Sequence, residues 1–291
     1  MGIEVSDIAL APQVVLHQRY KIQEVHYLGQ TGIVYFGEDF QENREIVIKE
    51  FMPYSIANRD MDGRTVICKS NGYKEQFQKF KKAFDAECEC VSRLKDLKKP
   101  YEGCVLKYLD SFAENGTQYL ITDKIKGKSL QDYIENGEDF SIRSTMQQLV
   151  AIVRQIHKKG IIHCDIKPSN IILNEEDERV TLIDFGSASH KRRKQNDMVF
   201  VSRGYSAPEL YHGGKIDYRA DIYSIGAVLY YMLTDSQLPE PDDYDEQEEI
   251  PPISDFIEIP PLLEKVILST LNRNKNKRLK SIFLLQLMLQ M

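Results

Sequence analysis

Apolar and polar positions in the first third of the chain follow a pattern that predicts β-strands separated by turns. The strand-like segments are KIQEVHYL, GIVYFGEDF and REIVIKEFM, with glycine-containing or polar turns between them. Further along, CVLKYLDSF and TQYLITDKI flank Asn115-Gly116, a dipeptide typical of a tight hairpin turn. Between these two groups of strands, apolar residues recur every three or four positions from Lys74 to Leu97, which predicts a helix with one buried face.

The pattern becomes helical after Lys126-Gly127. The segment SIRSTMQQLVAIVRQIHKKG predicts an amphipathic helix with Gly160 at its C-terminal end. DIYSIGAVLYYML is apolar on almost every side, which predicts a helix buried in a core, and the last residues predict a terminal helix packed on that core. The sequence therefore predicts an α+β protein with a small β-rich lobe, a larger and mainly helical lobe, and a boundary near Gly127.

Composition and charge exclude some classes of function. The 291 residues are 42% hydrophobic and 28% charged, which is ordinary for a globular protein, and the net charge of -6 does not favour nucleic acid or an anionic membrane surface as a partner. No apolar stretch is long enough to span a bilayer, and the N-terminus lacks the pattern of a signal peptide. Five cysteines without a CxxC pair fit reduced thiols and a cytoplasmic location.

Three short patterns have a plain explanation. Gly2 and Ser6 match a lipidation pattern that is so short that chance is the favoured explanation. The basic run HKRRK at 190–194 and the acidic run PDDYDEQEE at 241–249 are expected to be solvated loops. The alternative is that the acidic run attracts basic segments of a substrate through a salt-sensitive contact.

The stretch IIHCDIKPSNIIL places polar residues between two short apolar runs. Isoleucine-rich runs of this length predict buried strands, so the polar residues are expected on a tight connection that is fixed at both ends. They are His163, Cys164, Asp165, Lys167 and Asn170. A nucleophilic His163–Cys164 pair is not expected, because neighbouring residues of an extended turn point to opposite sides.

A lysine and a glutamate interrupt apolar patterns in the β-rich lobe. Lys49 lies in the segment IVIKEF, where it either faces solvent on an edge strand or is buried and needs an anionic partner. Glu87 falls three residues after Phe84 and four before Val91, so it shares the buried stripe of the predicted helix. A carboxylate on a buried stripe requires a cation, and Lys49 is the predicted partner.

Two further signals concern phosphate and metal binding. The glycines of YLGQTGIVY would let backbone amides approach phosphate oxygens, although a plain hairpin turn is the simpler explanation of this segment alone. Asp184 opens DFGSAS directly after the apolar strand VTLI, and with Asp165 and Asn170 it offers oxygen ligands for Mg²⁺ that is carried by a nucleotide. Each of these residues alone is explained by turn capping, but together they indicate phosphoryl transfer.

The order of these features resembles that of eukaryotic-type protein kinases. The resemblance rests on the glycine turn, the VIK lysine, the helix glutamate, HCDIKPSN, DFG and APE, and it extends from about Tyr20 to the C-terminus. IKEFMPYSIANRDMDGRTV and RGYSAPELY further resemble a bacterial branch of serine/threonine kinases, as does the long segment at 53–73. The resemblance implies a bilobal kinase fold that uses ATP and Mg²⁺, with an N-lobe at 1–122, a hinge at 123–127 and a C-lobe at 128–291.

The resemblance also implies a role for each polar residue of the C-lobe. Asp165 would orient the substrate hydroxyl and accept its proton, while Lys167 would neutralise the γ-phosphate during transfer. Asn170 and Asp184 would hold Mg²⁺. The structural contacts that the resemblance implies are Glu209 with Arg278, Asp221 with the backbone of the HCDIKPSN turn, and Ser202 with Asp165 and Lys167.

In the N-lobe, the resemblance implies that Lys49 holds the α- and β-phosphates of ATP while it is paired with Glu87. The implied nucleotide-binding residues are Gly29, Gly32, Val34, Lys49, Thr122, Asp123 and Ile125. The sequence departs from the family pattern at Tyr27, Thr31 and Cys164, which replace a glycine, an aromatic residue and an arginine. The first two departures predict looser coverage of the phosphates. The third predicts that activity does not depend on a phosphate captured at Cys164, because a thiol is a weak donor.

Three functions fit these residues. The first is an active protein serine/threonine kinase, which Lys167 and the polypeptide-binding segment from DFG to APE favour. The second is a small-molecule kinase with a similar His-x-Asp turn, and the third is a pseudokinase that serves as a scaffold. The complete set of polar catalytic residues argues against the scaffold. Serine and threonine side chains of proteins are the expected substrates, and regulation is expected from a protein partner or from a region outside this chain.

Overall fold

A computed structural model describes residues 5–97, 100–190, 200–240 and 250–290. The chain divides into two compact units, of which the first comprises 1–95 with 106–125 and the second comprises 96–105 with 126–291. Gly2, residues 191–194 of the basic run and the acidic run at 241–249 lie outside the described residues, so what was expected of them stays a prediction. Among the described helices, none is both long enough and apolar enough to cross a bilayer.

The first unit is built on antiparallel strands. They are β1 (Val15–Leu16), β2 (Tyr20–Leu28), β3 (Gly32–Asp39), β4 (Arg44–Phe51), β5 (Ala57–Arg59), β6 (Val66–Cys68), β7 (Tyr108–Glu114) and β8 (Thr117–Asp123). Strands β5 and β6 form a separate hairpin, and the other six form one sheet in the order β1-β2-β3-β4-β8-β7. The strands predicted from the alternating pattern are confirmed. Asn115 and Gly116 both have positive φ, which gives the predicted tight turn between β7 and β8.

One face of the sheet packs on a long helix. The helices of this unit are α1 (Val5–Ile8) and α2 (Lys74–Leu94), and a 3-10 turn at Asn71–Tyr73 precedes α2. Phe51 of β4 contacts Phe77 and Phe84 of α2, with ring centroids 5.1 and 5.7 Å apart. The helix ends at Leu94, earlier than the predicted Leu97, and Lys95 is its C-cap residue.

The other face of the sheet is covered by the N-terminal residues and by the segment at 53–73. The hydroxyl of Tyr35 on β3 accepts the backbone N–H of Leu10 at 3.0 Å, and Leu10 is buried. Arg59, at the end of β5, donates to the carbonyl oxygen of Ile8 at 3.0 Å. The long segment that distinguishes this chain therefore serves as a second cover of the sheet.

The second unit is mainly helical. Its helices are α3 (Leu130–Glu135), α4 (Ile142–Lys158), α5 (Pro208–Tyr211), α6 (Arg219–Thr234), α7 (Pro261–Thr270) and α8 (Phe283–Gln290), with 3-10 turns at Pro168–Asn170 and Ile253–Asp255. Its short strands are β9 (Lys128–Ser129), β10 (Ile161–Ile162), β11 (Ile171–Leu173), β12 (Val180–Leu182) and β13 (Ser189–His190). Strands β12, β11 and β9 form one small sheet in that order, and β10 pairs with β13.

Helix α6 forms the centre of the second unit. Every residue of the helix from Ala220 to Tyr230 is buried, which confirms the prediction from its apolar sequence. Gly226 lets α6 approach α7 closely, since a Cβ atom at this position would lie 1.8 Å from Oγ1 of Thr270. A central helix that is packed on all sides gives the neighbouring turns a fixed support.

Candidate active site

The stretch IIHCDIKPSNIIL forms a tight connection between two buried strands, as predicted. Strands β10 and β11 flank the HCDIKPSN turn (residues 163–170), and both strands are paired with other strands of the second unit. His163, Asp165 and Asn170 are buried although they are polar. Buried polar groups need hydrogen-bond partners, so the contacts of this turn determine how its side chains are presented.

Asp221 of α6 holds the HCDIKPSN turn in place, which confirms the expected contact. Its buried carboxylate accepts the backbone N–H groups of His163 and Cys164 at 2.9 and 2.8 Å. These bonds support Cys164 at a φ of 65°, a costly value for a residue with a side chain. Burial alone would raise the pKa of Asp221, but the contact with Nε2 of His157 at 2.7 Å and the backbone donors hold that pKa below its ordinary value.

His163 and Cys164 contact different groups. The ring of His163 lies 4.7 Å from that of Phe185, and its Nε2 atom is 3.1 Å from the carbonyl oxygen of Ile183. Cys164 is fully buried, and its sulfur is 3.8 Å from the carbonyl oxygen of Ile162. These contacts agree with the prediction that the two residues do not act as a nucleophilic pair, and they give His163 a structural role.

The carboxylate of Asp165 is the focus of polar contacts in this turn. Its Oδ1 atom accepts the hydroxyl of Ser202 at 2.6 Å, and its Oδ2 atom accepts the amide of Asn170 and lies 3.0 Å from Nζ of Lys167. Lys167 also donates to the hydroxyl of Ser202 at 3.0 Å, so the predicted Ser202 contacts are confirmed. The carboxylate can therefore receive a proton from a hydroxyl group, and a lysine cation lies beside it.

Asn170 and Asp184 lie at the same end of the β11–β12 strand pair. The backbone carbonyl of Asn170 accepts the N–H of Ile183 at 2.9 Å, which joins the two turns. The amide nitrogen of Asn170 donates to Asp165, so its amide oxygen is directed to the other side. Asp184 has a φ of 58°, and its Oδ1 atom accepts the N–H of Gly186 at 3.2 Å. Two strained residues therefore occur in this small region, at Cys164 and at Asp184.

The donor set at Asn170 and Asp184 suits Mg²⁺. This ion prefers oxygen ligands and usually takes one or two carboxylates together with phosphate oxygens and water. In the described part of the chain, no group of three or more His, Cys, Asp and Glu side chains is placed to hold a metal.

In the first unit, Lys49 and Glu87 form the predicted ion pair. The Nζ atom of Lys49 on β4 lies 2.6 Å from Oε1 of Glu87 on α2. Glu87 is 3% exposed, and Lys49 is 23% exposed. Val34 of β3 is the cross-strand neighbour of Lys49, so the two side chains share one face of the sheet. The lysine therefore faces α2 and is paired on a covered face of the sheet.

The glycine turn between β2 and β3 is short and is closed by a hydrogen bond from Gly29 N–H to the Gly32 carbonyl at 2.9 Å. A Cβ atom at Gly32 would lie 2.7 Å from the carbonyl oxygen of Glu50, so strand packing alone requires this glycine. A Cβ atom at Gly29 would meet the ring of Tyr27 at 3.3 Å. The exposed aromatic ring of Tyr27 therefore lies beside the turn, at the position where the family pattern has a glycine.

Strand β8 ends with Thr122 and Asp123, and Ile125 follows two residues later. Thr122 is buried, and the N–H of Asp123 donates to the carbonyl of Lys107 at 3.2 Å. The carboxylate of Asp123 lies 3.5 Å from a guanidinium nitrogen of Arg44. Since the N–H of Asp123 is engaged, a contact of this residue with a nucleotide base would use its carbonyl oxygen. The roles of these three residues stay predictions.

The predicted ion pair between Glu209 and Arg278, which lies outside the HCDIKPSN turn, is confirmed. Arg278 donates two hydrogen bonds to the carboxylate of Glu209, at 2.8 and 3.0 Å, and the arginine is buried. It also donates to the carbonyl oxygen of Arg219, the first residue of α6. The pair therefore joins α5 to the start of the central helix.

Sequence reasoning missed a buried ionic cluster beside Lys49. Glu50 is fully buried and accepts hydrogen bonds from a guanidinium and from two phenol hydroxyls. The donors are Arg59, Tyr35 and Tyr119. A signal was available, because successive residues of a strand point to opposite faces and Glu50 falls on the most apolar face of β4. Glu50 thus interrupts an apolar pattern in the same way as Glu87 does.

The chain matches a known family model over most of its length. The family model that describes the protein kinase domain matches residues 54–289. This range contains the HCDIKPSN turn, Asp184 and the Glu209–Arg278 pair, and it begins after the glycine turn and Lys49. The chain belongs to the protein kinase domain family.

Several bacterial kinases are similar to this chain. A probable serine/threonine-protein kinase of Clostridium acetobutylicum is 28% identical over 278 residues, which cover 91% of this chain and 38% of that protein. Serine/threonine-protein kinase D of Synechocystis is 29% identical over 274 residues, which cover 90% and 50% of the two proteins. Serine/threonine-protein kinase pkn2 of Myxococcus xanthus is 30% identical over 238 residues, covering 77% and 25%. The chain therefore spans half or less of the length of these relatives, and they support the expected bacterial branch.

A solved structure supports the bilobal kinase fold. The apo form of PpkA-294 is 26% identical in sequence and has a TM-score of 0.80. The match covers 97% of this chain and 99% of that chain. It therefore includes the strands that precede residue 54, where the family model does not match.

Proposed function

We propose that this chain is a catalytic domain that transfers the γ-phosphoryl group of ATP to serine or threonine hydroxyls of protein substrates. The observation that carries the proposal is the contact between Asp165 and Ser202. A serine hydroxyl donates to the buried carboxylate at 2.6 Å, a distance suited to proton transfer to a general base. The carboxylate that would accept the proton of a substrate is thus able to accept a hydrogen bond from a hydroxyl group.

The polar residues of the second unit then have distinct roles. Asp165 orients the attacking hydroxyl and accepts its proton, and Lys167 stabilises the negative charge of the transferred group. Asn170 and Asp184 bind Mg²⁺ through their side-chain oxygens. The ion, when bound, neutralises charge on the phosphate oxygens.

The first unit contributes the residues that bind ATP. Lys49, oriented by Glu87, contacts the α- and β-phosphates, and the hinge residues read adenine through their backbone. The full nucleotide-binding set is Gly29, Gly32, Val34, Lys49, Thr122, Asp123 and Ile125. Tyr27 and Thr31 leave the phosphates less covered than a loop with the usual glycine and aromatic residue.

The expected setting is the cytoplasm, with proteins as substrates and a protein partner as regulator. No disulfide joins any of the five cysteines, all of which lie in the described part of the chain, and this supports a reducing compartment. The bacterial relatives named as serine/threonine-protein kinases support the substrate class.

The test measures transfer of labelled phosphate from ATP to a protein array and to a panel of aminoglycosides and choline. Transfer to serine or threonine of proteins that disappears in Asp165→Ala supports the proposal. Transfer to the small molecules alone identifies a small-molecule kinase instead. Binding of ATP without any transfer identifies a pseudokinase.

A further inference from the structure

The carboxylate of Glu50 joins three separate parts of the first unit. Two guanidinium nitrogens of Arg59 donate to its oxygens at 2.7 and 2.8 Å, and the hydroxyls of Tyr35 and Tyr119 donate at 2.7 and 3.0 Å. Tyr35 lies on β3 and Tyr119 on β8, the strands on either side of β4. Arg59 lies on β5, within the segment at 53–73, and its side chain is 3% exposed.

The cluster also holds the N-terminal residues. Arg59 donates to the carbonyl oxygens of Ile8 and Arg64 at 3.0 and 2.8 Å, and Tyr35 accepts the N–H of Leu10. The partners of the carboxylate therefore come from two strands of the sheet and from its outer cover. All of them lie on the face of the sheet opposite to α2.

Stability alone does not explain such a cluster. Removing two charges from water costs free energy that their attraction only partly recovers. Well-packed apolar residues at the same positions often make the folded protein as stable or more stable. A charged cluster does fix the positions of its strands relative to one another, because all of its donors have to reach the same carboxylate. The side chains of a strand alternate between its two faces, so a slip of β4 by one residue would move every side chain to the opposite face.

Lys49 depends directly on that register. It precedes Glu50 on β4 and points to the α2 face, where it meets Glu87 at 2.6 Å. A shift of β4 that separates Glu50 from its donors would also carry the ammonium of Lys49 away from Glu87. Because Lys49 and Glu50 are consecutive residues, the position of Glu50 on one face of β4 determines the position of Lys49 on the other face.

We propose that Glu50 and Arg59 are positioning residues for Lys49: by fixing the register of β4, they hold the lysine on the α2 face in contact with Glu87. The consequence for ATP binding rests on the function proposed above. The segment at 53–73, which carries Arg59, then helps to position a residue of the nucleotide site although it covers the face of the sheet opposite to α2.

A second ion pair of the same sheet, in which only the carboxylate is buried, provides a control. Arg19 donates to the carboxylate of Asp39 at 2.8 and 2.7 Å, and Asp39 is fully buried. Asp39 is the last residue of β3 and lies opposite Arg44, at the other end of β4 from Lys49. Arg19 is 28% exposed whereas Arg59 is 3% exposed, so this pair is less buried, and its loss leaves the contacts of Glu50 in place.

The test compares two double variants, Glu50→Gln/Arg59→Met and Asp39→Asn/Arg19→Met. Each removes both charges of one pair, so neither leaves a buried ion without its partner. Acetic anhydride is added to nucleotide-free protein, and mass spectrometry follows the acetylation of Lys49. A lysine that spends more time away from Glu87 reacts faster, so we expect about a tenfold higher rate in the Glu50/Arg59 variant and the wild-type rate in the control.

An unchanged rate in Glu50→Gln/Arg59→Met overturns the proposal, and so does an equal increase in the control variant. Arg59→Lys keeps the charge but lacks the two-pronged geometry of a guanidinium, so an intermediate rate is expected from it. If the double variant fails to fold, this single variant decides, and a wild-type rate for it overturns the proposal.

Kinetics separate this inference from the proposed function. In the Glu50/Arg59 variant the KM for ATP should rise severalfold while the KM for a peptide substrate stays unchanged, a split that general loosening of the fold does not produce. If the wild-type protein transfers no phosphate, the proposed function is wrong. The acetylation rates still decide whether Glu50 and Arg59 position Lys49.

Discussion

The two units hold their functional side chains in different ways. In the first unit, Lys49 and Glu87 lie on a long strand and a long helix, and the contact between their side chains orients them. In the second unit, Asp165 lies on a short turn whose backbone is fixed by Asp221 through N–H bonds. The first arrangement depends on the register of regular elements, while the second depends on a strained backbone held by a buried carboxylate.

The family model matches parts of both units. It covers residues 54–289, which include Glu87 of the first unit and the strained turns of the second, and it begins after the glycine turn and Lys49. The glycine turn has Tyr27 where the family pattern has a glycine, and the cover at 53–73 is long. A turn with a special backbone tolerates few sequences, whereas a strand register can be fixed by many different contacts.

The largest effect is expected at the turn of the second unit. In the proposed function Asp165 accepts the proton of the substrate, so replacing it by Ala should lower kcat by about 10²–10⁴-fold. Asp177→Ala serves as the control, because this aspartate is about half exposed and lies on a loop of the same unit. Steady-state kinetics with circular dichroism on both proteins provide the measurement. If Asp165→Ala kept more than about a tenth of the activity, a barrier change below about 1.4 kcal/mol, the role given to Asp165 would be wrong.

The next effect concerns the ion pair of the first unit. Lys49→Met and Glu87→Gln should each lower kcat/KM by about 10²–10³-fold, because the lysine either is absent or loses its orientation. The double variant should be no worse than Lys49→Met, since the two residues act as a unit. Kinetics on all three proteins measure this coupling.

The exposed pair Glu75–Lys79 on the same helix is the matched control, at 2.8 Å between charged atoms. Glu75→Gln and Lys79→Met should leave kinetics and melting temperature nearly unchanged, because exposed ion pairs contribute about 0–1 kcal/mol. If the losses in kcat/KM of Lys49→Met and Glu87→Gln added up in the double variant, the two residues would be acting independently and not as a pair.

Residues that break a regular pattern were predictable from the sequence. Glu87 interrupts an apolar stripe, and this alone gave both its burial and its need for a lysine. The hairpin at Asn115-Gly116 and the buried helix α6 followed in the same way from local pattern. The roles within the HCDIKPSN turn came from resemblance to a family, because spacing alone does not tell a catalytic aspartate from a turn cap.

Long-range partners of buried charges were harder to predict. Glu50 breaks the apolar face of β4, but its partner Arg59 lies in an irregular segment with no periodicity. His157 contacts the buried carboxylate of Asp221, yet in the sequence it is simply a polar residue near the end of an amphipathic helix. Such partners are set by tertiary packing, which a single sequence does not report.

Asp221→Asn tests whether Asp221 supports the backbone of the HCDIKPSN turn. Its effect on activity should be smaller than those of the variants at Asp165, Lys49 and Glu87. An amide has one acceptor oxygen in place of two, so one N–H of the HCDIKPSN turn loses its acceptor and Asp165 is displaced slightly. A displacement below 1 Å should lower kcat by about 10-fold to 100-fold while the KM for ATP stays similar. Equal kcat values for the variant and the wild type would contradict the role of Asp221.

The same variant has a pH signature. Because the pKa of Asp221 is lower in the folded protein than in the unfolded chain, its charge stabilises the fold above the unfolded value of about 3.9, and this contribution is lost as the pH falls. The free energy of unfolding of the wild type should therefore fall more steeply from pH 7 to pH 3 than that of Asp221→Asn. Urea unfolding at several pH values measures both curves, and parallel curves would rule out this source of acid sensitivity.

The smallest effect is expected from phosphate on the segment that follows Asp184. In kinases with an arginine before the catalytic aspartate, a phosphorylated residue can bind the guanidinium and order this segment. Cys164 is fully buried and has no charge to offer. Instead, β13 pairs with β10, which places Ser189 opposite Ile162 immediately before the HCDIKPSN turn. Strand pairing therefore orders the described part of this segment, up to His190, and we expect it to take the place of a phosphate there.

Treatment of the purified kinase with a phosphatase should therefore leave its initial rate unchanged. Ser187 and Ser189 are both buried, so neither is accessible to a modifying enzyme in this conformation. A Ser187→Ala/Ser189→Ala variant is the matched control, and mass spectrometry before and after treatment verifies which phosphates were removed. A large loss of rate that autophosphorylation restores, and that the double alanine variant does not show, would mean that phosphate rather than strand pairing orders this segment.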